Sequence, residues 1–297
     1  MNLFTSVIIT TYKRPFSTLS RAIESVLKQT NTDFELIIVD DNPPDERLRQ
    51  EIEDNIRKLN DSRIRYIQHE ENRGACAARN TGIENSIGEY IAFLDDDDEW
   101  LPRKLSLQLE KFKDEYVGLV YCDSYSIIIN NNDVTKNIRQ YRKRGWVYDK
   151  LIERNFVGST SFVMLKKEAL DRCGDFNINM KSAQDYELWL RISKEYKIDY
   201  VASPLVNYYV HEGERISTNP SNKIQGLEQI IKLNMDFLQQ NRKIYGKRKS
   251  VIIPYYYQKY GYKYAVKKCI ESFITYPFNK HLFRLMIKIS MKKFKIN

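Results

Sequence analysis

Residues 89–100 read EYIAFLDDDDEW. A short apolar strand pattern runs straight into four consecutive aspartates, Asp95 to Asp98, followed by Glu99, Trp100 and Pro102. Four adjacent like charges repel, so such a run is tolerated where a cation neutralises part of it or where water surrounds it fully. Its position directly behind a buried-type strand favours the cation. Oxygen donors with no His or Cys close by in sequence suit Mg²⁺ or Mn²⁺, ions that commonly bridge carboxylates to substrate phosphates. The competing reading is a helix cap, since Asp is a favoured capping residue and a helix is expected to begin near Pro102.

The same arrangement recurs upstream. SVIITT at 6–11 is a β-branched run that ends in Tyr12, Lys13 and Arg14, and FELIIV at 34–39 is an apolar strand that ends in Asp40 and Asp41. Between them Leu19, Ala22, Ile23, Val26 and Leu27 fall at helical spacing; Leu48, Ile52, Ile56 and Leu59 do so after the second strand. A third strand at 64–68 and a helix at 75–85 complete the alternation. Continuous apolar strands separated by helices predict a mainly parallel sheet with both faces covered, and such sheets bind ligands at the carboxyl ends of their strands. Further elements are expected as a helix from 101 to about 115, a strand at 117–122, a strand pair within 124–135, a strand at 163–165 and helices at 166–173 and 184–195. From about Asn222 the chain reads as helical, with Pro254 and Pro277 as breaks.

With 297 residues and 42% apolar content the chain can bury a sizeable core with a smaller helical appendage. Its four cysteines form no C-x-x-C pair, which argues against a disulfide framework or thiolate zinc site and fits a reducing cytoplasm. No run of about 18 apolar residues suggests a membrane span, and the first residues lack a signal-peptide pattern. The formal charge of +9 is unevenly placed. From Arg242 onward there are fifteen Lys or Arg and a single acid, Glu271, so this region carries +14 and the remainder −5. An acidic sheet half excludes a nucleic-acid groove centred on the strand ends, whereas a basic tail with interleaved aromatics suits an anionic membrane surface. Leu282, Leu285, Met286, Ile289 and Phe294, alternating with lysines, give the tail an apolar stripe, and Tyr255, Tyr256, Tyr257, Tyr260, Tyr262 and Tyr264 add amphipathic rings. The same stripe equally suits packing on the catalytic domain or on a second copy of the chain.

SVIITTYKRP, FELIIVDDNP, ENRGACAARNTGI, EYIAFLDDDDEW and QDYELWLRI occur in that order. As an ordered set they resemble the nucleotide-sugar-binding domain of family-two glycosyltransferases with the GT-A fold, over about residues 3–217. The resemblance implies an α/β, Rossmann-like catalytic domain at 1–219, its nucleotide half about 1–100 and its acceptor half about 101–219, followed by a basic helical region at 220–297. It implies that Thr10 and Tyr12 line the base pocket, that Asp40 accepts from a base N–H, which favours a UDP- or dTDP-sugar, and that Arg73 and Asn80 lie near the nucleotide. The D-x-D element falls on Asp95 and Asp97. Asp97 is then the expected metal ligand and Asp95 is expected nearer the ribose or the ion's water shell, with Asp96 and Asp98 able to share or alter those roles. Asp185 is the implied base of an inverting transfer; Gln184 stands where the family more often has Glu. His211 and Arg215 correspond to a loop that reaches the metal and the diphosphate. The implied partners are the nucleotide-sugar donor and a glycan or lipid-linked saccharide acceptor, on the inner face of the cell membrane, with homo-oligomerisation a further expectation.

Other readings fare less well. A nucleotidyltransferase calls for a Gly- and Lys-rich phosphate loop, and TTYKRP has no glycine. A dinucleotide oxidoreductase calls for G-x-G-x-x-G behind a strand, which is absent. A non-catalytic relative would be expected to lack Asp97 or Asp185, and both are present.

Overall fold

The structure is a computed structural model that describes residues 4–130, 133–210 and 219–291. Among the described residues nine strands form one mixed sheet: β1 (Thr5–Thr11), β2 (Phe34–Asp40), β3 (Ile64–Gln68), β4 (Tyr90–Asp95), β5 (Glu99–Trp100), β6 (Val117–Asn130), β7 (Asp133–Arg139), β8 (Val163–Lys166) and β9 (Lys197–Val210). Their order is β3-β2-β1-β4-β8-β6-β9-β5, with β7 paired to β6. The first four are mutually parallel; β8 then enters antiparallel to both β4 and β6. The α/β class read from the sequence is the fold observed. Strand β9 had no counterpart in the sequence reading, because its apolar residues do not form a continuous run.

Helices α1 (Phe16–Leu27), α2 (Arg47–Leu59) and α3 (Ala75–Glu84) connect the first strands. Leu19, Ala22, Ile23 and Val26 of α1 and Ile52 and Ile56 of α2 share one core with Val7, Ile9, Leu36 and Ile38. Alternation along a strand sends Ile8 to the opposite face. There Gly82 of α3 lies so close that a Cβ would stand 2.5 Å from Ile8 Cγ2. Helices thus cover both faces because the strands are apolar on both.

Register fixes the polar edge. Thr10 is level with Val39 and Asp95, Thr11 with Asp40, and Asp40 with Gln68. Residues belonging to four separate sequence segments therefore end at one rim. α4 (Lys104–Leu109), α5 (Tyr148–Glu153), α6 (Lys167–Cys173) and α7 (Gln184–Glu195) follow along the chain.

The chain divides into two compact units. One comprises Met1–Tyr148, Phe156–Ile178 and Leu188–Glu212; the other comprises Asp149–Asn155, Asn179–Glu187 and Gly213–Asn297. The second contains α8 (Pro220–Leu233), α9 (Met235–Gln240), α10 (Arg242–Tyr260), α11 (Tyr262–Thr275) and α12 (Lys280–Ser290). Pro254 does not break its helix: α10 continues through it and ends at Gly261, whose φ of 79 suits glycine. Leu282, Leu285 and Ile289, three members of the tail stripe, are buried against Ile253, Ala265 and Cys269. Phe294 lies outside the described residues. Tyr256, Tyr260 and Tyr264 pack ring against ring, with centroids 4.7 to 6.4 Å apart.

Candidate active site

Asp41 organises the segment after β3. Its Oδ1 accepts from the Arg73 N–H at 2.8 Å and lies 2.7 Å from His69 Nδ1, while its Oδ2 accepts from the Gly74 N–H at 2.8 Å and Asn72 Nδ2 at 3.0 Å. A buried carboxylate with this many donors draws a loop tightly to the sheet edge. Gly74, at φ 83, makes the turn that starts α3.

Asp40 is fully buried and its two oxygens are in use. Oδ1 accepts from Asn42 N at 2.9 Å and Asn42 Nδ2 at 2.7 Å, and Oδ2 accepts from the Tyr66 hydroxyl. Burial, then this hydrogen bond, pushes the Tyr66 phenol well above its ordinary range. Asn42 in turn accepts from the Lys13 N–H at 2.8 Å and supports a left-handed backbone at Lys13, φ 50. This turn presents the half-exposed Tyr12 ring. Thr10 is partly buried at the same rim, and the Arg73 side chain is exposed. Asn80 clamps the chain elsewhere, its amide bonding both ways to the Phe176 backbone at 2.9 and 3.0 Å.

The four aspartates form a tight turn, with the Asp98 N–H donating to the Asp95 carbonyl at 3.0 Å, and their side chains diverge. Asp95 accepts from Arg79 Nη2 and Thr160 Oγ1, both at 2.9 Å, and from Ser159 Oγ at 3.1 Å. Asp98 is wholly buried, accepting from Ser161 Oγ at 2.6 Å and from the Tyr209 N–H at 3.1 Å; burial, with Asp95 close by, holds its carboxyl well above the usual range. Asp95 and Asp98 therefore anchor the turn to the segment before β8 and to β9.

Asp96 and Asp97 share a different partner. Arg14 Nε donates to Asp96 Oδ1 at 3.1 Å and Nη2 donates to Asp97 Oδ2 at 3.0 Å, while Thr11 Oγ1 donates to Asp96 Oδ2 at 2.8 Å. Burial pushes Asp96 up to about 6 against the opposing charge of Arg14. Arg21 Nη2 donates to the Asp97 carbonyl at 2.5 Å, and its guanidinium lies 3.8 Å from the Tyr209 ring centroid. Among the described residues no three His, Cys, Asp or Glu side chains already form a metal cage. The donor set still fits a hard divalent ion, because Asp96 and Asp97 are neighbouring carboxylates that a single guanidinium reaches together.

The structure thus brings Thr10, Tyr12, Asp40, Asp95, Asp96 and Asp97 to one rim. Asp185 belongs to the second unit. It sits in the first turn of α7, where its Oδ1 accepts from the Tyr186 N–H at 2.7 Å, two residues after Ala183, whose backbone is left-handed at φ 57. Lys223 lies in its field: burial lowers that ammonium's pKa and Asp185 opposes the effect. The Tyr186 hydroxyl donates to the Leu151 and Ile152 carbonyls at 2.8 and 3.1 Å, which fixes this turn within the same unit. His211 and Arg215 lie outside the described residues.

Arg14, Thr11, Ser161 and Tyr209 were not singled out from sequence. The signal for Arg14 was a basic residue just after a strand that ends level with an acidic one. Trp100 and Trp189 are buried and donate to the Ser161 and Gly158 carbonyls at 2.9 and 3.1 Å, which makes them core braces, while Trp146 is exposed.

A parallel sheet edge with clustered carboxylates defines a nucleotide-type crevice. Residues 6–182 match glycosyl transferase family 2, and the chain belongs to that family. It is 35% identical over 215 residues to a putative colanic acid biosynthesis glycosyl transferase, WcaA, of Escherichia coli K12, covering 69% of this chain and 72% of that protein. It is 33% identical over 196 residues, 66% of this chain and 72% of the other, to the Escherichia coli protein WfgD, a UDP-Glc:alpha-D-GlcNAc-diphosphoundecaprenol beta-1,3-glucosyltransferase. The fold is that of S. aureus TarS 1–349 in complex with UDP-GlcNAc, with a TM-score of 0.61, 20% identity and coverage of 86% of this chain and 72% of that one. The chain has the GT-A fold.

Proposed function

We propose that this glycosyltransferase moves a sugar, with inversion, from a UDP- or dTDP-sugar to a hydroxyl of a lipid-linked saccharide during surface-polysaccharide assembly. The observation that carries the reading is the rim behind β1 and β4 at which Thr11 and Arg14 hold Asp96 and Asp97. The activity of WfgD, which glucosylates a diphosphoundecaprenol-linked GlcNAc, supports the acceptor class, and the role of WcaA in colanic acid biosynthesis supports polysaccharide assembly.

In this reading Tyr12 stacks on the base, whose pocket also takes in Thr10, Asp40 and the loop of Arg73. The Asp40 contact to the base then competes with the donors it already has, Asn42 and Tyr66. Asn80 acts through the Phe176 backbone. Asp97, with Asp96 beside it, holds Mn²⁺ or Mg²⁺. A bound ion supplies Lewis-acid stabilisation of charge on the departing diphosphate. Arg14, which pairs with both carboxylates, would suit a phosphate oxygen if an ion took its place on them. Asp95 holds the turn rigid through Ser159 and Thr160. Asp185 takes the acceptor hydroxyl proton as oxygen attacks the anomeric carbon. No helix among the described residues is long and apolar enough to cross a membrane; the basic tail region instead makes peripheral contact on the cytoplasmic side, where a second copy of the chain can also assemble.

The test is thermal stability with UDP, dTDP, GDP, CDP and ADP, each with Mn²⁺ and again with EDTA. Stabilisation of roughly 2.7 kcal/mol is expected at about a hundredfold over the dissociation constant, confined to UDP or dTDP and lost with EDTA. No shift with any nucleotide would favour a non-catalytic relative.

A further inference from the structure

We infer that the outer flank of α11 and α12 is a docking surface for an anionic lipid bilayer. The observation is a continuous apolar patch that the fold leaves uncovered. Ile270, Phe273 and Ile274 of α11 are 52%, 40% and 67% exposed, and Phe283, Ile287 and Met291, at i, i+4 and i+8 along α12 and its C-cap, are 49%, 57% and 52% exposed. Phe273 and Phe283 meet edge to face across the two helices with centroids 6.2 Å apart, which joins the halves into one surface. Scattered single apolar residues are ordinary on a protein surface; a joined patch of aromatics and aliphatics marks an interaction site.

This surface differs from the stripe that the sequence presented. Leu282, Leu285 and Ile289 are spent on the helical core, so the faces available to a partner are the neighbouring flanks. An amphipathic helix at an interface needs only one apolar flank and a basic rim. α12 has its core contact in addition, which explains why it is apolar over more than half its circumference.

Charge selects the occupant. Exposed Lys263 and Lys267 continue the row of Ile270 and Ile274, at i, i+4, i+7 and i+11, and exposed Arg284 and Lys288 lie on α12. Glu271, the single acid from Arg242 onward, is already paired with Lys268 at 2.8 Å. Pairing two such flanks between copies would bring like charges together in an apolar contact. An anionic bilayer instead takes the rings and aliphatic side chains into the headgroup region and the ammonium and guanidinium groups onto its phosphates. The surface deepens the peripheral contact proposed above, and it stands on residues that take no part in donor or metal binding.

The test is flotation of the full chain with vesicles of phosphatidylcholine alone or mixed with phosphatidylglycerol. Binding to the mixed vesicles is expected, weakened by salt. The double variant Phe273→Ser, Phe283→Ser should lower partitioning at least about tenfold, and Lys263→Gln and Lys267→Gln about fivefold each. UDP-dependent thermal stabilisation should not change in any of them, which separates loss of docking from loss of the fold or of donor binding. Wild-type protein that stays off both kinds of vesicle overturns the proposal, as do variants that float like wild type. A dimer in sedimentation velocity that the double phenylalanine variant dissolves would assign the patch to a second copy and overturn it equally.

Discussion

Arg14 bridges Asp96 and Asp97 with one guanidinium, Nε at 3.1 Å from the first carboxylate and Nη2 at 3.0 Å from the second. Two adjacent carboxylates, one of them buried, are thereby kept close without an ion. Arg14→Met should lower stability in EDTA by about 1 kcal/mol, since the arginine is partly exposed and its pairing partly screened. Mn²⁺ should raise the melting midpoint more in the variant than in wild type, because the ion no longer competes with a resident cation. Equal Mn²⁺ shifts in the two proteins would remove the competition.

Ser161 connects the turn to its support. Its hydroxyl donates to Asp98 Oδ2 at 2.6 Å and accepts from the Asp95 N–H at 3.1 Å. Ser161→Ala leaves both buried groups short of a partner, at an expected cost of about 1–3 kcal/mol. Chemical denaturation with an unchanged m-value would measure it. A loss under about 0.5 kcal/mol would mean that water replaces the hydroxyl.

Lys104 gives a pH prediction. It is fully buried, with Nζ 3.9 Å from the Trp100 ring centroid and donating to Gln108 Oε1 at 2.6 Å, and burial lowers its pKa from 10.5 to about 7. Between pH 7 and 10.5 the unfolded chain therefore binds more protons at this site than the folded one. Stability from this group rises with pH through that window; below it, the full cost of burying the ammonium applies. At 1.36 kcal/mol per pKa unit the upper bound is about 5 kcal/mol. Lys104→Met should be more stable than wild type at pH 7, and the difference should shrink toward pH 10 in paired urea titrations. A difference that stays constant with pH would show that the lysine is charged throughout.

Asp185→Asn tests the base. The substitution keeps the shape and the cap to the Tyr186 N–H but removes proton affinity, so transfer should fall about 10²- to 10⁴-fold with donor-nucleotide affinity unchanged. Transfer near the wild-type rate would leave Asp185 as a helix-capping residue only.

The sheet, its parallel first half and the polar strand ends were legible in the sequence because they are local. Strand and helix periods are set within a few residues, and a polar cluster behind an apolar run marks a strand end wherever the strand lies. The ordered motifs added the family. Partners were not legible. Arg14 and Asp97 are 83 positions apart, Ser161 and Asp98 are 63 apart, and the Tyr209 N–H is 111 from Asp98, on a strand whose pattern gave no continuous run. Which carboxylate anchors the turn and which pairs with Arg14 depends on what the segment before β8 and the end of β9 bring to the turn. The tail shows the same limit. Its composition announced an apolar and basic surface, but burial of Leu282, Leu285 and Ile289 decided which flank remains outside. Periodicity is a property of the chain's own geometry, whereas pairing and exposure depend on what packs against each side chain, and that exists only once distant segments have met.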